Sequence, residues 1–321
     1  MIDFRYHIVS IVAVFLALAL GLFLGSTTLQ STVTHNLDNQ AKRVTGEYKH
    51  TEAINGQLRA SLGDEQALTK EIEPFAVEDR LTGDAVALVS APGVDGSLVK
   101  SVVNTLQLAG ATVTANVALQ SAYIDPTQDA ELGQLATSLA LPNHTLPNGN
   151  GATKVSSILA DVLLARPGHR TVSRSHVNET LNALSDGKFI SVSGNLPNRP
   201  ANMAVLLLAD PTSSGAANIV QTQNTELVTL AKDLRGSSSA AVVAGPDPTP
   251  GNSASALATA RNDSTLTKNT STVDFDTSSS PDPAAGRIAI VLALADAASS
   301  GTVGAYGLGE NQVLPSPSPS P

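Results

Sequence analysis

The sequence is poor in the sulfur side chains that bind soft metals or act as thiolate nucleophiles. Cysteine is absent, which excludes disulfides, thiolate nucleophiles and every cysteine-based metal site. The chain has six histidines and only two methionines. His169 and His176, in the segment RPGHRTVSRSH, are the candidate metal ligands, but the arginines between them would repel a cation. The alternative, that both histidines are surface residues, stays open.

Catalytic sequence motifs are missing as well. The chain contains neither the GxSxG nucleophile elbow of serine hydrolases nor the HExxH motif of zinc proteases. The turn APGVDGS (91–97) follows a predicted strand, where a doubly wound sheet binds phosphate, yet it lacks GxGxxG and the P-loop Lys-Ser/Thr pair. Gly93 and Gly96 either shape this turn or bind a ligand. We expect no catalytic residue and no cofactor, and therefore no enzyme.

The overall charge argues against nucleic acid as a partner. The 321 residues carry a net charge of -9, and charged residues make up only 15% of the chain. A nucleic-acid-binding protein needs a basic surface to displace counterions from phosphates. Lysine and arginine together number 19 against 28 acidic residues, so no such surface is expected.

Residues 1–30 are predicted to be a short cytoplasmic stub followed by a transmembrane helix. The segment from Ile8 to Gln30 has no charged side chain, and about 20 apolar residues span a bilayer as a helix. The residues that would anchor the helix are Ile8, Val12, Phe15, Leu18, Leu22 and Leu24.

Two fates of this helix are open, a cleaved signal peptide and a permanent signal-anchor. Ala17-Leu18-Ala19 has the small-x-small pattern of a cleavage site, but cleavage there would leave LGLFLG exposed. We therefore predict a signal-anchor. The positive-inside rule applied to Arg5 places Met1 in the cytoplasm and the remaining chain outside it.

Residues 31–82 are predicted to form a long helical stalk. Apolar residues recur at intervals of four and three over part of this region, and Asn55, Glu65 and Thr69 interrupt the pattern. A shifted register includes Ile54 and Leu68, which indicates a stutter. The predicted coiled-coil seam consists of Leu37, Ala41, Val44, Tyr48, Leu58, Leu62 and Ile72.

The stalk is either a solvated helix or a coiled coil that makes a homodimer or a higher oligomer. Gly46, Gly56 and Gly63 each weaken a helix by roughly 1 kcal/mol, so an isolated helix should fray. This favours the dimer. Pro74 is expected to kink or end the helix.

Residues 83–314 have the alternating strand and helix pattern of an α/β domain. Short apolar runs at 84–93, 111–119, 188–194, 204–210, 239–245 and 271–275 are predicted strands. Helical segments at 96–110, 224–236 and 286–301 separate several of them, with Leu98, Val102, Leu106 and Ala109 on one face of the first. We predict a doubly wound, mainly parallel sheet of the Rossmann- or flavodoxin-like three-layer type. Residues 315–321, PSPSPSP, are expected to be a disordered tail.

The two ends of the chain resemble one family, the actinobacterial copper-transport proteins typified by mycobacterial MctB. The opening MIDFRYHIVSIVAVFLALALGLFLG carries the resemblance, as do VSAPG after the first strand and the closing segment VDFDTSSSPDPAAGRIAIVLALADAASSGTVGAYGLGENQVLP. Family members often have a histidine where this chain has Ala305. The residues of the family motifs are Asp3, Arg5, His7, Gly286, Arg287, Tyr306, Gly307 and Gly309.

The resemblance implies copper efflux or homeostasis by a cell-envelope protein that is described as an outer-membrane pore, with copper as the transported ion. The residues themselves favour a tether over a pore, because the apolar helix lacks a polar stripe and copper(I) prefers Cys and Met. A second hypothesis is that the stalk is a scaffold. It would recruit or regulate an envelope partner, such as a peptidoglycan hydrolase in cell separation.

Overall fold

The computed structural model describes residues 4–141, 145–165, 172–194, 199–210, 217–246, 255–275, 283–307, 310 and 312–315, with the side chains of 26–39 left out. Packing divides the chain into two compact units, Met1–Asp64 and Glu65–Pro321. The predicted stalk, 31–82, overlaps both units.

The first helix, α1, runs without interruption from Phe4 to Val77. Its segment Phe4–Gly25 is, by length and composition, one that could cross a membrane, and a signal sequence would have the same properties. All six predicted anchor residues are exposed, from 47% for Ile8 to 68% for Phe15 and Leu22. The predicted apolar helix is therefore present, and its predicted anchor side chains are exposed.

The predicted coiled-coil seam lies on this helix and is exposed. Val44, Tyr48, Leu58 and Leu62 are between 43% and 69% exposed in the first unit, and Ala41 is exposed too. The side chain of Leu37 lies outside the described residues. Ile72, in the second unit, is 48% exposed. The pairing of this seam with another helix stays a prediction.

The last turns of α1 belong to the α/β unit. Glu73 and Val77 are 5% and 0% exposed there. The helix continues three residues beyond Pro74, whose carbonyl accepts a hydrogen bond of 2.9 Å from the N–H of Glu78. Pro74 thus lies in the final turn, so the helix ends within three residues of the position that cannot donate a backbone hydrogen bond.

The α/β unit is built on a mostly parallel sheet of seven strands, in the order β3-β2-β1-β4-β5-β6-β7. The strands are β1 Ala85–Ser90, β2 Thr112–Leu119, β3 Ile190–Val192, β4 Met203–Leu207, β5 Ala240–Pro246, β6 Ser271–Phe275 and β7 Ala305–Tyr306. The inner strands β1, β4 and β6 are buried along their whole length, as expected for continuous apolar runs covered on both faces.

Helices cover both faces of the sheet. They are α2 Gly96–Leu108, α3 Asp129–Leu139, α4 Gly151–Leu163, α5 Arg174–Asp186, α6 Ala217–Gly236, α7 Ala256–Asn262 and α8 Ala284–Ser299, with a short 3-10 helix at Ser121–Ile124. One apolar core lies between the sheet and helices α3 to α7. The other is formed with α2, α8 and the end of α1. The predicted helix-covered, mainly parallel sheet is confirmed.

The strand in KFISVSG, β3, differs in direction from the other strand pairs of this mainly parallel sheet. β3 pairs with β2 in the antiparallel direction, with Leu119 opposite Ile190. Three helices, rather than one crossover helix, separate β2 from β3, and the chain re-enters the sheet beside the end of β2. The N–H of Gln120 donates to the carbonyl of Phe189 there at 2.9 Å. β7, a two-residue edge strand, was not predicted.

We expect Gly286→Ala to destabilise the α/β unit by about 1–3 kcal/mol, the cost of overpacking a core. A Cβ at Gly286, near the start of α8, would collide with Cβ of Phe275 on β6. Thermal unfolding of the full chain in detergent measures the effect. Gly236→Ala is the matched control, because nothing lies within 4 Å of a Cβ there. Equal melting temperatures for the two variants would contradict the close approach of α8.

Candidate functional site

A buried ion pair joins α8 to the end of α1. The guanidinium of Arg287 donates from Nη2 to Oε2 of Glu73 at 2.6 Å and from Nε to Oε1 at 2.9 Å. The hydroxyl of Thr105, on α2, is 2.5 Å from Oε1 and accepts from Nε of Arg287 at 3.1 Å. The two charged side chains are 4% and 7% exposed. Both carboxylate oxygens are thus hydrogen-bonded, so this cluster is a structural joint between three helices.

A second charged cluster joins α7, β6 and the residues around β7. Arg261, on α7, donates from Nη2 to Oδ2 of Asp274 at 3.0 Å and to the carbonyl of Tyr306 at 3.1 Å. Its Nη1 donates to Oε1 of Glu310 at 2.6 Å. Asp274 follows Val273 in β6, and its side chain is 1% exposed. Arg261 therefore ties the last strand and the residues after it to the sheet.

Glycine is required beside Asp274. Gly307 has φ +133°, and a Cβ on it would overlap the carboxylate of Asp274. A side chain at this position would be strained and would also collide. Tyr306, next to it, is 2% exposed and packs in the core with α8. The close packing gives a physical reason for the Tyr306-Gly307 motif; Gly309 lies outside the described residues.

Helix α6 carries a buried carboxyl that has no cationic partner in its hydrogen bonds. Oε1 of Glu226 accepts a hydrogen bond of 2.6 Å from Nδ2 of Asn150, the residue that caps α4. Oε2 has no hydrogen-bond partner among the described residues. The pKa of Glu226 is raised to about 7, mainly by burial; the hydrogen bond from Asn150 opposes this shift, and the charge of Asp129 adds to it. Asp129 itself accepts from the N–H of Gly151 at 2.6 Å.

A second raised carboxyl lies two turns along the same helix. Burial, followed by the charge of Asp161, raises the pKa of Asp233 to about 6, and Lys232 opposes this. Burial also raises the pKa of the Tyr123 hydroxyl, which is 2.8 Å from the hydroxyl of Ser156. The side of the sheet that carries α4 and α6 therefore buries several acidic groups at the edge of its core.

The described residues hold no group of three or more His, Cys, Asp or Glu side chains that could bind a metal ion. His169 lies outside the described residues, so its predicted proximity to His176 is not observed. His176 is half-buried on α5, and its Nε2 has no hydrogen-bond partner within the described part of the chain. Met203 is buried in β4 at 1% exposure. Among the described residues, no set of soft ligands comes together.

The turn after β1 favours the turn-shaping interpretation over ligand binding. Asp95 caps α2, accepting from the N–H and the hydroxyl of Ser97 at 2.6 and 2.5 Å. These hydrogen bonds, the hydroxyl's first, lower the pKa of the Asp95 carboxyl. A carboxylate thus occupies the helix N-terminus, where a phosphate would otherwise be favoured. Gly93 has φ +91°, which explains a glycine in this turn.

Comparison with known proteins identifies the family. The family described as "Copper transport outer membrane protein, MctB" matches residues 1–317. The chain belongs to the MctB family. The proteins named "Copper transporter MctB" of Mycobacterium tuberculosis and Mycobacterium bovis are 28% identical over 252 residues, covering 77% of this chain and 79% of theirs. The protein of that name from Mycobacterium leprae is 28% identical over 196 residues, 60% of this chain and 62% of its own.

The residues predicted to form the family motifs lie in three places in the described structure. Gly286 and Arg287 build the joint with Glu73, and Tyr306 and Gly307 build the cluster around Asp274. At the other end of the chain, Arg5 and His7 are exposed on α1. Asp3 lies outside the described residues. The partners Glu73, Arg261 and Glu310 were not predicted, since no local pattern marks them.

Replacing Arg287 with Met should lower the free energy of unfolding by about 3–5 kcal/mol, because the Glu73 carboxylate stays buried without its cation. The double variant Glu73→Leu/Arg287→Met should lose much less, since no buried charge remains. Urea denaturation of the full chain in detergent gives the values. Lys232→Met is the control: it breaks a pair with Asp263 in which the side chains are 38% and 27% exposed, and should cost less than about 1 kcal/mol. A double variant as unstable as the single one would contradict a purely electrostatic joint.

Glu226→Gln should remove a pH dependence of stability. Because the pKa of Glu226 is about 7 when folded and lower when unfolded, the folded chain holds more protons between these values. Wild-type stability should therefore fall as pH rises from about 4.5 to about 7, by on the order of 2 kcal/mol from this group. Gln keeps the acceptor for Asn150 and carries no charge, so the variant should be the more stable one at pH 8. Glu179→Gln, at an exposed site on α5, is the control. Parallel stability curves for wild type and Glu226→Gln would refute the expectation.

Proposed function

We propose that this chain is a single-pass envelope protein that takes part in copper transport or efflux and in copper homeostasis, without being an enzyme. The match of the MctB family to residues 1–317 carries the proposal, together with relatives named copper transporters. The absence of the serine-hydrolase, zinc-protease and P-loop motifs from the sequence supports the non-enzymatic part.

The proposed topology follows from the composition of α1. Phe4–Gly25 would cross the membrane as an uncleaved anchor, with Arg5 on the cytoplasmic side by the positive-inside rule. The α/β unit would then lie outside the cytoplasm. A chain without cysteine loses nothing in an oxidising compartment, which agrees with this placement.

Copper enters this proposal as cargo. Copper(I) is bound best by cysteine and methionine sulfur, and the chain has no cysteine and two methionines, of which Met203 is buried in the sheet. We therefore propose that the chain acts on copper through an assembly of several copies or through a partner, and holds no tight copper site of its own.

A second function, that of a stalk scaffold for an envelope protein such as a peptidoglycan hydrolase, is favoured by one observation. Large apolar residues of α1 such as Val44, Tyr48 and Leu58 are exposed in the first unit. Exposed apolar residues at heptad spacing indicate a surface that a further helix covers. Both functions use the stalk, through a homodimer or higher oligomer in the first and through a partner in the second.

A deletion strain separates the two functions. If copper homeostasis is the function, deletion should lower the copper concentration that stops growth by several-fold and leave cell separation normal, and the full chain should restore tolerance. A separation defect at unchanged copper tolerance would replace the first function with the second.

Two further arms test how the chain acts. Leu58→Glu/Leu62→Glu, which breaks the seam, should fail to complement, whereas Ala60→Glu, off the seam, should complement fully. Titration of the purified full chain with copper(I) should show only weak, non-stoichiometric uptake. Tight one-to-one binding would overturn the proposal that no copper site exists in the chain.

A further inference from the structure

Three asparagines in this chain are followed directly by glycine. They are Asn55, Asn148 and Asn150. An Asn-Gly pair is where an asparagine side chain deamidates most readily, because glycine has no Cβ to hinder ring closure on its own nitrogen. The three pairs have different surroundings, so the structure rather than the sequence decides which of them reacts.

The reaction needs only a base and water. The backbone nitrogen of the glycine gives up its proton and attacks the side-chain carbonyl carbon of the asparagine. A C–N bond forms to the backbone nitrogen, and the amide nitrogen leaves as ammonia. Water then opens the cyclic imide at either carbonyl, which gives aspartate or isoaspartate, and nothing is oxidised or reduced. The asparagine amide must therefore be free to rotate, and the glycine N–H must not be held in a hydrogen bond.

The pair Asn150-Gly151 is held by hydrogen bonds on both reacting groups. Oδ1 of Asn150 accepts from the N–H of Thr153 at 2.9 Å and from its hydroxyl at 2.8 Å, and Nδ2 donates to Oε1 of Glu226 at 2.6 Å. The N–H of Gly151 donates to Oδ1 of Asp129 at 2.6 Å. Ring closure at this pair would break all of these hydrogen bonds.

The pair Asn55-Gly56 lies within α1. The side chain of Asn55 is exposed, but the N–H of Gly56 is inside the helix, where it is donated to the carbonyl four residues earlier. The helix must therefore open locally before this nitrogen can attack.

The pair Asn148-Gly149 is free in both respects. Both residues are exposed in the turn that leads into α4. Within the described part of the chain, neither the Asn148 amide nor the N–H of Gly149 makes a hydrogen bond. Gly149 has φ +154°, and a Cβ on it would lie 2.8 Å from Cγ2 of Thr153, so this turn requires a glycine after Asn148.

We propose that Asn148 is a site of covalent modification in the folded chain, where water converts the asparagine to aspartate or isoaspartate, and that Asn55 and Asn150 are protected. The modification adds a carboxylate to a chain of net charge -9, two residues before the cap of α4. The isoaspartate product also lengthens the backbone just before Gly149.

Site-resolved mass spectrometry tests the proposal. The full chain in detergent would be incubated in mildly alkaline water labelled with heavy oxygen and then digested, and the labelled fraction at each asparagine would be followed with time. Synthetic peptides that carry each Asn-Gly pair give the rates without structure. Asn148 should react within about two-fold of its peptide rate, whereas Asn55 and Asn150 should be slowed roughly ten-fold or more, since the structure must open first.

The relative rates decide the outcome. Slowing of Asn148 by as much as Asn150 would overturn the proposal, and so would faster reaction of Asn150 than of Asn148. Asn148→Gln, whose longer side chain would have to close a larger ring, should remove the label from this turn. A label that persists there at the same rate would place the reaction at another residue.

A matched pair of variants tests why Asn150 is protected. Asp129→Ala removes the acceptor of the Gly151 N–H and should raise the rate at Asn150 several-fold. Glu131→Ala, at an exposed position of the same helix, should leave that rate unchanged. Both variants would be compared below their melting temperatures. Equal rates at Asn150 in the two variants would overturn the protective role of the Asp129 hydrogen bond.

Discussion

The ion pair between Glu73 and Arg287 is the interaction on which the joint between α1 and the α/β unit depends. Taking two charges out of water costs several kcal/mol, and only good geometry with additional hydrogen bonds offsets that cost. Here the guanidinium bonds both oxygens of the carboxylate, and Thr105 adds a third partner from α2. The ion pair lies beside the apolar core that α2, α8 and the end of α1 form with the sheet. An apolar contact would tolerate sliding of α1 along α8; a bidentate pair does not.

Charges in the α/β unit are distributed unequally between the two faces of the sheet. On the face that carries α2 and α8, Glu73 forms an ion pair with Arg287. Near the C-terminal end of the chain, Asp274 on β6 forms an ion pair with Arg261 on α7. On the face that carries α4 and α6, burial raises the pKa values of Glu226 and Asp233. The paired charges join chain segments that are distant in sequence, whereas the raised carboxyl pKa values predict that the packing of α6 depends on pH.

The sequence predicts local features of this fold well and distant pairings poorly. Continuous apolar runs predicted β1, β4 and β6, and the periodicity of Leu98, Val102 and Leu106 predicted the buried face of α2, because burial on both faces or on one stripe leaves a direct pattern. The antiparallel direction of β3 depends on how three intervening helices pack, which no local pattern encodes. Glu73 and Arg287 are 214 residues apart, and each looks like an ordinary surface charge until the fold brings them together. The sequence predicted apolar residues at intervals of four and three along α1. It could not predict which face at the end of this helix packs in the α/β unit, because that depends on the fold.

The ligand chemistry of copper and the composition of α1 both argue against a copper path within a single copy of the chain. A protein that passes an ion onward must bind it weakly enough to release it, so a chain poor in sulfur ligands is better suited to passage than to storage. From Ile8 to Gly25 the first helix has no charged side chain and no polar stripe, so by itself it offers an ion no polar path. The proposed function therefore requires that several chains or a partner build any path, and the exposed apolar residues of α1 are the surface proposed for such an assembly. How this family handles copper is then a question about what α1 binds, more than about any one metal ligand.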